Sequence, residues 1–275
     1  MSAPSSPEAT RELVRERYGA IASEKTSCCG PSASSAIAPS DFAEVIGYTA
    51  DSLINIPEGA NLGLGCGSPT ALAGLSAGEV VVDLGAGAGL DALIAAKLVG
   101  PEGRVIGVDM TPEMLKSARK HAVEMDVHGY VEFREGLIEA LPIASGTADV
   151  LISNCVINLS PDKPEAFREA FRVLKSGGRL AISDIVLSAP LPDDIRNQAA
   201  AYVACVAGAL TEDVYLGAMR AAGFTDITWT RTPAAQLLIS SAEVLEQAGA
   251  PAIDAERLHD LNDTVWSYKI TARKP

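Results

Sequence analysis

From Glu79 onward, short runs of continuous apolar residues alternate with segments whose apolar positions recur at helical spacing. "EVVVDLG" (79–85), "GRVIGVD" (103–109), "YVEFREG" (130–136), "ADVLISN" (148–154) and "RLAISDIVL" (179–187) predict strands. Between them, "LDALIAAKLVG", "TPEMLKSARKHAVEM" and "DKPEAFREAFRVLKSGG" predict helices, the first ended by Gly100 and the second capped by Thr111. Strands apolar on both faces, alternating with amphipathic helices, imply an α/β fold with a doubly wound parallel sheet. Ahead of this block a polar helix is expected over 8–22, then the Ser-, Gly- and Pro-rich loop "SEKTSCCGPSASSAIAPS". Short helical pieces are expected at Asp41–Tyr48 and Ala50–Ile54. In "NLGLGCGSPTAL" a glycine-rich turn leads to a helix with Ser68 as N-cap and Pro69 in its first position. After Pro190 the pattern predicts helices near Asp193–Ala207 and Glu212–Ala222, a strand at "FTDITW", a helix near Ala242 and a closing strand "TVWSYKITA". The expected division is therefore 1–65, 66–190 and 191–275, with the closing strand either ending a separate part or rejoining the main sheet.

Composition narrows the chemistry. The chain has 275 residues and no apolar run long enough to span a bilayer, and no charged-then-apolar leader is read at its start. A cytoplasmic protein without membrane contact is expected. A net charge of −13 would repel a phosphate backbone, which argues against nucleic acid and for small-molecule partners. A monomer is expected. Five cysteines without CxxC or His-rich spacing read neither as a disulfide framework nor as a zinc site.

"VVVDLGAGAGLDAL" places Gly85, Gly87 and Gly89 between the first strand and its helix, where a ligand can approach the backbone and the helix N-terminus. Asp83 opens this motif. Asp109 ends the second strand, where its carboxylate can accept bonds from ribose hydroxyls. "GLIEALP" and "ISN" follow the third strand and end the fourth, at the carboxyl edge where open α/β sheets bind ligands. This series resembles the class I, Rossmann-like methyltransferases that use S-adenosylmethionine. The resemblance implies cofactor contacts at Asp83, Gly85, Gly87, Gly89, Asp109, Met110, Leu137, Ile138 and Asn154. Many relatives carry a carboxylate or amide where Leu137 stands, so the adenine contact here falls to the backbone of Ile138. A dinucleotide fold for NAD is the alternative reading of the loop.

Cys155 follows the fourth strand, Cys66 lies in the "GLGCGSP" turn, and Cys205 lies in "AAYVACVAGAL" after the fifth strand. Each alone reads as a small buried hydrophobe. Together, "NCVINLSPDK" and "VIGYTADSLINIPEGANLGLGCG" resemble the arsenic(III) S-adenosylmethionine methyltransferases over almost the whole chain. In that family Cys66, Cys155 and Cys205 match the thiols that hold trivalent arsenic, and Tyr48 a tyrosine near the methionine end of the cofactor. Cys28 and Cys29 are the candidates for a redox or delivery pair. The resemblance implies methylation of arsenite and methylarsenite in arsenic detoxification, with a thiol reductant, thioredoxin or glutathione, restoring the electrons. Two other readings compete: a methyltransferase for a quinone- or sterol-type molecule, and a protein that sequesters soft metals by its thiols. The first calls for a base near the rim, whereas His121 and His128 are expected on the surface.

Overall fold

A computed structural model describes residues 6–24, 39–193, 206–234 and 263–275. The apolar runs form the strands β1 (Val80–Leu84), β2 (Arg104–Asp109), β3 (Val131–Glu135), β4 (Ala148–Asn154) and β5 (Leu174–Leu187). With β6 (Thr225–Pro233) and β7 (Val265–Arg273) they make a seven-stranded sheet in the order β3-β2-β1-β4-β5-β7-β6. The sheet is parallel only through β5. β7 pairs antiparallel with both β5 and β6, a sense that the sequence reading left open. The closing strand thus returns to the main sheet.

Before β1 the chain forms α1 (Pro7–Glu24), α2 (Pro39–Ile46), α3 (Ala50–Leu53) and α4 (Pro69–Ala73). After it come α5 (Leu90–Val99), α6 (Pro112–Glu124), α7 (Lys163–Val173) and α8 (Glu212–Ala222). Ser68 and Thr111 occupy their N-cap positions without a side-chain cap bond, Pro standing at N1 in both helices, while Asp162 does cap α7 through the Glu165 amide. None of the described helices is long and apolar enough to cross a membrane. The helices expected near Asp193–Ala207 and Ala242, and the loop carrying Cys28 and Cys29, lie outside the described residues.

Consecutive strand residues face opposite cores, as the pleat requires. Val81, Val105, Val150 and Ile152 pack under α5 and α6, while Val82, Ile106 and Leu151 pack under α7 and α8. Among the latter, Phe167 meets Tyr215 edge-to-face at 5.3 Å, and both rings are fully buried. The strand order reverses between β1 and β4, which pair in parallel with Leu84 beside Ser153. Ligands of open sheets bind at such a reversal.

His121, expected on the surface, is buried, with its Nδ1 2.9 Å from the Ala88 carbonyl oxygen. Its position follows from the buried stripe Met114, Leu115, Ala118, His121 and Ala122, which turns that face of α6 toward the glycine loop.

Phe167→Ala should lower the unfolding free energy by about 3–5 kcal/mol, because it removes a large side chain that the sheet and α8 cannot collapse onto. The check is denaturant unfolding, with the midpoint shifted and the slope unchanged.

Candidate active site

β1 ends into a loop whose glycines all take positive φ: +66° at Gly85, +51° at Gly87 and +99° at Gly89. At Gly85 a Cβ would also stand 2.7 Å from Cβ of Val156, so the glycine loop lies directly against the residue that follows Cys155. The amides of Gly85 and Ala86 both donate to the Val108 carbonyl, at 2.8 and 3.0 Å, tying the loop to β2. One residue beyond that carbonyl, Asp109 accepts from the Gly87 amide at 2.9 Å through Oδ2 and from the Thr111 amide at 2.8 Å through Oδ1. Burial pushes its carboxyl up, and these amide bonds pull it down.

Beneath the loop lie two more buried acids. Burial raises Asp83 well above the usual carboxylate range, and the neighbouring charges of Asp91 and Asp109 push the same way. Asp91 accepts from the Tyr48 hydroxyl at 2.8 Å and from Asn154 Nδ2 at 3.1 Å, both on Oδ2. Burial lifts its pKa to about 6, against the opposing pull of Asn154, Tyr48 and Thr70. Asp83 Oδ2 and Asp91 Oδ1 are buried and carry no hydrogen bond. Unused acceptors on two buried acids, beside a loop of alternating glycine and alanine, fit the ammonium of an amino-acid moiety approaching the backbone. S-adenosylmethionine has such an ammonium, and its ribose would fall to Asp109. Of the residues expected at the adenine, Leu137 is half-buried, and Ile138 puts its side chain into the core under α7. Met110 packs, as Tyr18 and Cys155 do, against the small cluster of Val14 and Leu159, and its carbonyl accepts from Arg15 Nε of α1 at 3.4 Å.

The sulfur side is built from three elements. Glycines flank Cys66: a Cβ on Gly65 (φ +128°) would come 2.9 Å from Asn154 Nδ2, and one on Gly67 2.5 Å from Ser183 Oγ. The turn therefore sits directly on the end of β4 and on Ser183 within β5. Asn154 Oδ1 accepts from the Cys66 amide at 3.1 Å, Asn154 Nδ2 donates to the Gly67 carbonyl at 2.7 Å, and Ser267 Oγ donates to the Cys66 carbonyl at 2.6 Å. Cys155 takes φ +54°, unusual for a side-chain-bearing residue, and its amide donates to the Ser183 carbonyl at 2.9 Å. The two cysteines, 89 residues apart in sequence, have Cα atoms 6.0 Å apart and are joined by a disulfide. No disulfide framework was read from the sequence; here Asn154, which precedes Cys155 and accepts from the Cys66 amide, brings the two residues together. Cys205, Cys28 and Cys29 lie outside the described residues.

Three polar residues were missed in sequence. Asp91 stands in an apolar helix. Asp184 is fully buried in apolar β5 and accepts from Asn158 Nδ2 at 2.9 Å, the Ile185 amide at 2.9 Å and the Tyr215 hydroxyl at 3.1 Å. Asn158, also fully buried, belongs to the same segment as Cys155. Their signal was a polar residue inside an apolar run.

A glycine loop, an acid after β2 and a ligand edge at the strand reversal define a methyltransferase of the Rossmann-like class, and the methyltransferase domain family matches residues 75–228. Among curated relatives, an arsenite methyltransferase of Halobacterium salinarum is 43% identical over the whole chain, which covers 69% of that protein. One from Aquipseudomonas alcaligenes is 44% identical over 59% of the chain and 48% of its own length. A crystal structure of an arsenic(III) S-adenosylmethionine methyltransferase from Chlamydomonas reinhardtii superposes with a TM-score of 0.59 at 34% identity, covering 85% of this chain and 73% of that one. The chain belongs to the arsenite methyltransferase family, within the S-adenosylmethionine-dependent methyltransferases.

Asp91 also makes stability depend on pH. Its folded pKa of about 6 lies above the usual carboxylate value, so the neutral form's contribution is complete below about pH 4 and is lost as pH rises through 6. Between pH 5 and 8, Asp91→Asn should gain about 1–2 kcal/mol relative to the parent. Parallel denaturation of the oxidised proteins at the two pH values checks this; a constant difference would show that Asp91 is ionised throughout.

Proposed function

We propose that this protein methylates trivalent arsenic, as arsenite and methylarsenite, in cytoplasmic arsenic detoxification, with Cys66, Cys155 and Cys205 as the arsenic-binding thiolates. The carrying observation is that Cys66 and Cys155 meet at the edge where the glycine loop ends, sharing Asn154 with the acids below that loop. Trivalent arsenic is thiophilic, and thiolates fill its valences while leaving a lone pair outward. Bound S-adenosylmethionine supplies an electrophilic methyl group, whose transfer to that lone pair raises arsenic to the pentavalent state as the carbon–sulfur bond breaks and the neutral thioether S-adenosylhomocysteine leaves. Asp83, Asp91 and Tyr48 hold the ammonium end, and Asp109 holds the ribose. Val156 lies between glycine loop and cysteine, fixing their separation, so positioning supplies the acceleration. No general base is needed, because the nucleophile carries no proton.

The cysteine pair also returns arsenic to the trivalent state. Two thiolates give up two electrons to pentavalent arsenic and close the Cys66–Cys155 bond. An external dithiol of the thioredoxin class, or glutathione, then restores two electrons and two protons. Cys28 and Cys29 relay those electrons or deliver arsenite.

Two outcomes test the assignment. Asp109→Ala should weaken S-adenosylmethionine binding by about 1.5–3 kcal/mol and leave arsenite binding intact, read by calorimetry with each ligand alone; unchanged cofactor affinity would remove Asp109 from the site. Cys66→Ser should lose methylation of inorganic arsenite but still convert methylarsenite, which has only two valences left for sulfur, while Cys155→Ser and Cys205→Ser lose both. Chromatographic speciation of products with excess thiol measures this. Parent-rate turnover by Cys155→Ser or Cys205→Ser would rule out the three-thiolate site.

A further inference from the structure

Methyl transfer leaves Asp184 without a task, yet a carboxylate oxygen of this residue and both sulfurs of Cys66 and Cys155 all lie within 4.8 Å of one another. The group is drawn from three elements: a turn, the end of β4 and the interior of β5. Asp184 has no exposed surface, and three donors aim its oxygens: Asn158, the Ile185 amide and Tyr215. Such outer-shell bonds orient a carboxylate that ligates a metal. Asn158 Oδ1, at the other end of the amide that holds Asp184, is buried with no partner. The neighbouring cation is Lys163, whose Nζ donates to the Ser160 carbonyl at 2.9 Å.

Arsenic has no use for the carboxylate. Its valences close on thiolates, and the methylated form accepts only two of them. A divalent cation has different needs, taking sulfur and carboxylate oxygen together and gaining from every negative charge in the set. We infer that the reduced Cys66–Cys155 pair and Asp184 form a two-sulfur, one-oxygen site for a divalent thiophilic cation of the zinc or cadmium class. Binding releases the two thiol protons to solvent and forms two metal–sulfur bonds and one metal–oxygen bond. The cation excludes arsenic from the pair and holds both sulfurs as thiolates against disulfide formation. Asp184 is what separates the two ligands, since it serves the cation alone. The inference does not depend on the methylation reading.

The test uses the full chain with Cys28, Cys29 and Cys205 replaced by serine, so that Cys66 and Cys155 are its only thiols. A phosphine opens the disulfide, becoming the phosphine oxide as water supplies the oxygen and both thiol protons, and is then removed. Cadmium ion alone is titrated in and followed by the ultraviolet thiolate-to-cadmium charge-transfer band. The expected result is one cadmium per reduced chain and none per oxidised chain. In the same background, Asp184→Asn should weaken cadmium by at least about tenfold, the loss that even outer-shell substitutions bring, with arsenite affinity unchanged. Absence of cadmium uptake by the reduced protein, or equal affinity in Asp184→Asn, would overturn the site. Should that variant fail to fold, the infrared difference between cadmium-bound and cadmium-free protein decides instead. A perturbed carboxylate stretch supports Asp184 as ligand, and an unperturbed one refutes it.

Discussion

Asn154 is the joint on which both halves of the site turn. An amide has two N–H donors and one carbonyl acceptor, and all are spoken for. Nδ2 faces the Gly67 carbonyl, the Tyr48 hydroxyl and Asp91 Oδ2, while Oδ1 accepts from the Cys66 amide. A flipped amide would set its oxygen against the Gly67 carbonyl and the Asp91 carboxylate, so only one orientation is tolerated. An aspartate of the same shape would add charge beside an acid that burial already disfavours. A single side chain at the end of β4 therefore fixes how far the sulfur-bearing turn stands from the acids under the glycine loop.

Strain gathers around the same joint. Cys155 in the left-handed region costs on the order of 1 kcal/mol, and Gly65 and Gly85 occupy conformations and spaces that no side chain could share. These costs recur where β1 and β4 hand over to their loops, and the buried cores beneath compensate them. The Cys155 amide bond to the Ser183 carbonyl holds the turn in place from β5. Close approach of loop, turn and strand end would be impossible with relaxed backbone at all three.

The strands and the glycine loop were legible because burial on both faces writes continuous apolar runs, and because a tight strand-to-helix turn demands glycine. The sense of β7 was not, since a strand that joins the edge of a sheet carries no residue that marks which way it runs beside its neighbour. His121 was readable after all: it lies at i+7 from Met114 on a stripe that also holds Ala118 and Ala122, and a titratable residue on that stripe belongs inside. The disulfide could not be read, because 89 residues separate its cysteines and only the fold of the intervening sheet brings them together. Asp184 and Asn158 escaped for a related reason. A polar residue in an apolar strand gains meaning only when its partner, here on a different element, is known.

The buried acids stand on either side of Asn154. Asp83 and Asp91 lie on the glycine-loop side, Asp184 on the sulfur side, and burial disfavours the charge of each. Asp184 feels the charge of Lys163, while Asp83 and Asp91 repel each other, so a positively charged group arriving on the glycine-loop side would relieve both of those acids. A ligand that brings such charge therefore does more than fill space. It relieves the desolvation of these acids and, binding the folded chain, raises stability with the logarithm of its concentration over its Kd. Occupancy on one side also acts on the other, because the Tyr48–Asp91–Asn154 network that receives the first ligand is bonded to the backbone of Cys66. That shared network is the physical reason for expecting the two binding events to be coupled.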